Sequence, residues 1–322
     1  MPILDFEGAQ YPVAEGETVL ACLERNGHPI PNSCRSGVCH SCMLRGIRGD
    51  LPAAAQKGVK PAHKAQGYFL ACQCIPESDL AVAPADGAVG SIGATLVHKE
   101  MLNHRVLRVV LEPAGSLDYF SGQFLNFVRP GGLVRSFSIA SVPALDHYLE
   151  FHVALVPDGK MSGWLHGAET GETLDLQGPL GSCFYTSDSP EQPLFLLGTG
   201  TGLAPLYGIV RDALHQGHTG PIHLFHGALV LQDLYLADVL RALDDAHANF
   251  HYHACVRDEA GSDWASCGDV DSIALETLPD LKGWRVFLCG NPALVRQVQR
   301  KCFMAGASMQ AIHADAFLPA GG

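Results

Sequence analysis

The chain has 322 residues, 47% hydrophobic and 17% charged, so it is too long for one ordinary core and too apolar for a disordered chain. Its formal net charge is −12 and no Lys/Arg cluster offers the basic face that would replace phosphate counterions, which excludes a nucleic-acid-binding surface. No apolar run reaches the roughly 18 residues of a membrane helix, and MPILDFEG lacks the basic start of a secretory signal, so a reducing cytoplasm is expected.

Residues 2–16 alternate like two short strands joined by a turn. Residues 18–26 predict a helix, with Val19, Leu20, Cys22 and Leu23 on one face and Gly27 just past its end. Five of the eleven cysteines then fall between positions 34 and 74, which reads as metal ligation rather than a disulfide scaffold. In Cys34-Arg-Ser-Gly-Val-Cys39-His-Ser-Cys42 the ligand spacing is that of a plant-type 2Fe–2S loop, with a fourth cysteine further on. Gly37 lets such a loop turn without a Cβ clash. Cys72 and Cys74 are both candidates for the fourth thiolate, because they share a face after the predicted strand 68–71. A zinc site of Cys39, Cys42, Cys72 and Cys74 is the competing assignment, and it leaves Cys34 unused. A strand at 80–83 precedes a Gly/Ala/Pro-rich linker at 84–93.

Strand-like runs at 106–111, 124–128, 137–140, 148–155 and 173–176, punctuated by Gly and Pro, suggest an antiparallel barrel or sandwich. Two motifs fall here. In Arg135-Ser136-Phe137-Ser138, an Arg can hold a pyrophosphate, an aromatic can stack on a flat ring and a Ser can donate to a ring atom. Gly159-Lys160-Met161-Ser162 opens a predicted helix, whose N-terminus suits phosphate. Taken alone, both also read as an ordinary strand edge and turn. From residue 192 strands alternate with helices: strands at 193–197, 222–226, 250–256 and 285–289, helices up to 215 and at 234–245 and 292–304. This pattern means a parallel sheet covered on both faces. Gly198-Thr199-Gly200-Thr201-Gly202 sits between strand and helix, where glycines let a dinucleotide approach the backbone. Leu288-Cys289-Gly290-Asn291-Pro292 is a second such junction; Cys289 is either on the ligand side of the sheet or a buried small residue. Cys22, Cys183 and Cys302 read as core residues. The sixteen histidines, with the pairs His215/His218 and His251/His253, read as scattered solvated or core positions without metal-binding spacing.

With its motifs in this order, the chain resembles the reductase components of multicomponent bacterial oxygenases, of the benzoate dioxygenase reductase type, over nearly its whole length. The resemblance implies a β-grasp 2Fe–2S ferredoxin domain at 1–85, an antiparallel β-barrel flavin domain at 93–187 and a doubly wound, parallel-sheet NAD(P)H-binding domain at 190–322. The domain order implies FAD rather than FMN. It also implies residue roles. Cys34, Cys39, Cys42 and Cys72 would bind the cluster. Arg135, Ser136, Phe137 and Ser138 would form the flavin motif, with the strand His152-Val153-Ala154 beside it. Lys160, Met161 and Ser162 would cradle the FAD pyrophosphate. The glycine loop and Arg257 would hold the nicotinamide nucleotide, and Cys289 and Gly290 would lie by its ring. Asp315 and Phe317 match the acidic-x-aromatic tail of ferredoxin reductases, where the aromatic covers the flavin and the acid assists. Ser138, Cys289 and Asp315 are the implied catalytic residues.

Three positions depart from the pattern. His40 stands where glycine is usual, Leu229 where an adenosine-phosphate arginine often stands, and residues 318–322 extend past Phe317. Leu229, and Val256 in place of a serine before Arg257, favour NADH over NADPH. The expected activity is hydride uptake from NADH by FAD and single-electron transfer through the cluster to a partner docked at the cluster loop. The expected partner is a terminal oxygenase of Rieske, di-iron or haem-thiolate type, and the chain is expected to be a monomer. Competing readings are a reductase for a non-oxygenase partner, such as a deoxysugar dehydratase, and a zinc-stabilised binding module without redox chemistry.

Overall fold

In chain order, β1 (Ile3–Phe6), β2 (Ala9–Pro12), α1 (Val19–Arg25), β3 (Met43–Arg48), α2 (Pro61–Ala65), β4 (Tyr68–Leu70) and β5 (Leu80–Pro84) build the first of two units, residues 1–89. This computed structural model describes residues 2–30, 32, 35, 37, 42–85, 91–129, 133–260 and 262–317. Cys34, Cys39 and His40 lie outside the described residues. The five strands form one mixed sheet, order β2-β1-β5-β3-β4, in which β1 runs parallel to β5 and the other pairs are antiparallel. This is the β-grasp arrangement. Helix α1 buries Val19, Leu20, Cys22 and Leu23 against the sheet's core. Thr18 caps its N-terminus by accepting from the Ala21 amide at 3.2 Å. Gly27, at φ +83°, ends it: its amide reaches Glu24 O at 3.0 Å and that of His28 reaches Leu23 O at 2.9 Å.

The second unit, residues 90–322, opens with β6 (Ser91–Met101), β7 (Val106–Pro113), β8 (Phe124–Val128), β9 (Val134–Ser138), β10 (Leu149–Ala154), α3 (Lys160–Gly167) and β11 (Thr173–Leu180). These strands pair antiparallel in the order β10-β7-β6-β11-β8-β9. One bridge, Ile139 to Phe151, closes the ends into a barrel. Leu125, Phe127, Phe151 and Val153 point inward and are fully buried, at about 1.5–3 kcal/mol each.

The chain continues through β12 (Leu194–Thr199), α4 (Leu203–His215), β13 (Ile222–Ala228), α5 (Ala237–Ala246), β14 (Phe250–Val256), β15 (Ala265–Cys267), α6 (Val270–Thr277), β16 (Arg285–Gly290), α7 (Pro292–Met304) and β17 (Ile312–Ala316). All six strands are parallel, in the order β15-β14-β13-β12-β16-β17. Apolar clusters cover both faces, one including α4 and α5, the other α6 and α7.

Several expected boundaries move. β6 absorbs residues 91–93 of the expected linker, and Pro84 belongs to β5. α5 starts at Ala237 rather than 234, because Leu236 takes a left-handed conformation at φ +57°. β4 ends at Leu70, and residues 71–73 form a 3₁₀ turn, so Cys72 and Cys74 do not share a strand face. His251 and His253 are not scattered: their rings gather with His223, whose Nδ1 lies 3.0 Å from His253 Nε2. No helix among the described residues is long and apolar enough to cross a membrane.

Candidate active site

Strand β9 divides the Arg-Ser-Phe-Ser motif between its faces. Arg135 pairs in register with Phe127 and Phe137 with Leu125, so both sit on the side of the barrel core, and the Phe137 ring packs 4.7 Å from Phe127. Ser136 and Ser138 point the other way; Ser136 donates to Asn126 Oδ1 at 2.7 Å. The Ser138 hydroxyl, nearly buried, donates to Asp315 Oδ2 at 3.1 Å. Asp315 stands on β17 directly beside Cys289 on β16, and the Phe317 amide donates to Gly290 O at 2.8 Å. Barrel and parallel sheet thus bring Ser138, Cys289, Gly290, Asp315 and Phe317 together. Burial raises the pKa of the Asp315 carboxyl, and the Ser138 bond opposes that shift. Burial also pushes the Cys289 thiol well above its ordinary value. Its Sγ lies 3.6 Å from that of Cys183, a contact between residues far apart in sequence.

The glycine loop presses against this junction. A Cβ on Gly202 would collide with the Cys289 carbonyl oxygen, and one on Gly198 would come within 2.7 Å of Leu206 Cδ1. Those two glycines serve close packing, whereas Gly200 adopts φ +53° with open space beside it. Thr199, Gly200 and Thr201 line a cleft of about 550 Å³ at the C-terminal ends of the parallel strands. Its walls also include Arg105, Ala154, Leu229, Arg257 and Asp269. Of the predicted strand trio only Ala154 reaches this cleft. Val153 lies in the barrel core, and His152 is sealed beneath the barrel's outer face.

His152 belongs to a buried polar chain. Its Nε2 is 2.9 Å from Glu150 Oε1 and its Nδ1 is 3.2 Å from the Tyr235 hydroxyl. Glu150 Oε2 accepts from Arg108 at 2.6 Å. Burial alone would raise the Glu150 pKa, but the bonds from His152 and Arg108 prevail and hold it at about 2. Burial lowers the pKa of His152 in spite of Glu150.

The residues fit a flavin nucleotide. Helix α3 begins at Gly159 without a side-chain cap, leaving its first amides for an anion. Met161 is buried in the barrel core and Ser162 Oγ is engaged with Val156 N and Gly159 O, so both offer backbone amides only. Arg135 and Lys160 have no carboxylate partner among the described residues. The residues also fit a cluster. Cys42 and Cys72 are both buried, and Cys42 O accepts from the amide of Ala71, next to Cys72, at 3.1 Å. Gln73 donates to Cys72 Sγ at 3.6 Å and to Arg35 O at 3.2 Å, tying the cysteine to the loop that carries Gly37. Cys74 is fully buried in the same hydrophobic cluster as Cys42 and Cys72, and burial pushes its thiol up to about 12.

Comparison with known proteins matches residues 3–77 to a 2Fe-2S iron-sulfur cluster binding domain, 93–185 to an oxidoreductase FAD-binding domain and 196–300 to an oxidoreductase NAD-binding domain. The reductase component of the naphthalene 1,2-dioxygenase/salicylate 5-hydroxylase systems of Ralstonia is 34% identical over 317 residues, 95% of each chain. The chain belongs to the family of oxygenase reductase components. The reductase is also 32% identical to the aromatic O-demethylase reductase subunit of Amycolatopsis, over 95% of each chain. Its fold matches that of the Amycolatopsis cytochrome P450 reductase with a TM-score of 0.70, at 30% identity and 100% coverage of both chains. The reductase is an oxidoreductase with FAD-, NAD- and 2Fe–2S-binding domains.

Proposed function

We propose that the reductase takes hydride from NADH in preference to NADPH and delivers single electrons to a terminal oxygenase that docks at the cluster loop. Bound FAD takes up the two electrons of a hydride together and releases them singly, and the 2Fe–2S cluster carries one at a time. The observation that carries this reading is the convergence of Ser138 from the barrel with Cys289 and Asp315 from the parallel sheet, beside the glycine-lined cleft. In this reading the thiol of Cys289 and the backbone of Gly290 hold the nicotinamide ring, in surroundings from which burial excludes water. Asp315 fixes the Ser138 hydroxyl through Oδ2, and burial raises the pKa of its carboxyl against that bond. Arg135, Lys160 and the amides of residues 160–162 take the FAD pyrophosphate, Phe137 and Phe317 flank its ring system, and Ser136 braces the motif through Asn126. Thr199, Gly200 and Thr201 take the dinucleotide, with Arg257 on the far wall. Cys72 supplies the fourth cluster thiolate, alongside Cys34, Cys39 and Cys42. The net charge of −12 suits a basic docking patch on the partner, and the reductase acts as a monomer.

Leu229, 44% exposed on the cleft wall, offers nothing to an adenosine phosphate, and Asp233, Asp269 and Asp271 line the same cleft. The test is turnover of the oxygenase whose genes neighbour this one, driven through the purified reductase by NADH and by NADPH. Product should form, with kcat/KM for NADH at least about tenfold the higher, a margin of about 1.4 kcal/mol. Equal use of NADPH would remove the preference, and consumption of NADH without product would remove the oxygenase assignment.

A further inference from the structure

We infer that Arg105, on the barrel's β6–β7 hairpin, binds the pyrophosphate of the pyridine dinucleotide. The inference rests on the cleft being the NADH site. Among the described residues two cations line that cleft, Arg105 and Arg257. Arg257 is already occupied: its Nε donates to Asp258 Oδ1 at 2.7 Å and its Nη2 to Oδ2 at 3.2 Å. Lys301, nearby, is committed to Asp271 at 2.7 Å, and Asp271 also accepts from Gln297. The Arg105 guanidinium has no carboxylate partner among the described residues.

Its backbone, by contrast, is fixed from three directions. The Arg105 amide donates to Asn103 Oδ1 at 2.9 Å, and its carbonyl accepts from Leu155 N at 2.8 Å. The same Asn103 side chain crosses to the parallel-sheet domain, donating to Asp233 O at 3.1 Å and to Gln232 O at 3.3 Å. His104 adds a contact to Asp233 Oδ1 at 3.4 Å. The hairpin tip is therefore pinned to the opposite wall, and its free guanidinium is carried on a pre-ordered backbone facing a cleft whose other charges are mostly acidic. A planar, permanently charged fork in that position suits a diphosphate, which it can bind through two N–H donors. The glycine loop supplies neutral amides from one wall, and Arg105 supplies the counter-charge from the other.

The test uses FAD- and cluster-loaded reductase with NADH and ferricyanide, and reads inhibition constants for ADP and for adenosine. Arg105→Gln should weaken ADP about tenfold, the range expected for losing one charge-assisted hydrogen-bonded contact, and leave adenosine unchanged. Arg105→Lys should recover part of the loss. ADP inhibition of the parent should weaken with salt more steeply than that of R105Q. Undiminished ADP inhibition in R105Q would overturn the inference, as would an equal loss for adenosine, which would mean packing rather than charge. Leu229→Trp, which enlarges a side chain lining the cleft, separates the two levels. If L229W blocks NADH and R105Q does nothing, only the role of Arg105 fails; if neither matters, the cleft is not the NADH site.

Discussion

Glu150 is a carboxylate that faces outward from the barrel and is still almost sealed, with Arg108 on one oxygen and His152 on the other. Its pKa falls from an ordinary 4.5 to about 2, equivalent to about 3 kcal/mol of preference for the charged form. Because the folded-state value is depressed, that stabilisation is complete above pH 4.5 and is lost as pH falls towards 2. Glu150→Gln should therefore cost up to about 3 kcal/mol at pH 7 and progressively less towards pH 3. Urea unfolding of parent and variant at both pH values measures this, and a gap that does not narrow would refute it. Sequence could not reveal this site. Glu150 and His152 alternate with apolar residues like the wet side of a strand, and the group that covers them, Tyr235, is 83 residues beyond His152. The Cys183–Cys289 contact was hidden for the same reason: Cys183 alone reads as core filling and Cys289 as a ligand-side or buried residue, and only the fold sets them 3.6 Å apart.

Among the elements, those carried by strong local patterns were legible: α1 with its threonine cap and terminal glycine, β12 with its glycine loop, α7 behind its proline. Those missed had weak patterns. β6 contains Gly93 and Ala94 and gains its order from antiparallel partners on both sides, and β15 and β17 are short edge strands. Gly202 shows how an element junction limits the site, because any side chain there must displace the Cys289 carbonyl. Gly202→Ala should cost about 1–3 kcal/mol through overpacking. It should also lower kcat/KM for NADH roughly tenfold to a hundredfold through misplacement of the Cys289 backbone, while FAD content stays at parent level. Steady-state kinetics beside flavin absorbance decides this, and parental kcat/KM would show that the junction tolerates the shift.

At the scale of the whole molecule, residues 90–322 form one unit with its own cores. A fragment of residues 90–322 should keep FAD and NADH–ferricyanide activity but lose reduction of cytochrome c, a one-electron protein acceptor. Unimpaired cytochrome c reduction would mean that electrons do not leave through the cluster. The order of the cofactor domains was legible because their motifs are short and contiguous in sequence. The cleft was not, since its walls come from the barrel hairpin and the start of β7, residues 154–157 at the end of β10, Arg257 after β14 and four βα junctions, and Arg105 carries no motif at all. One further property follows from how the barrel closes. β9 and β10 meet through the single Ile139–Phe151 bridge, helped by the Ala140–Glu150 bond of 2.8 Å, whereas the other neighbouring strands share longer ladders. Local opening costs least along such a seam, and the flavin motif lies on one side of it with His152 on the other. The barrel is thus least protected against breathing along this seam, and anything bound across it would act as the missing rungs of the ladder.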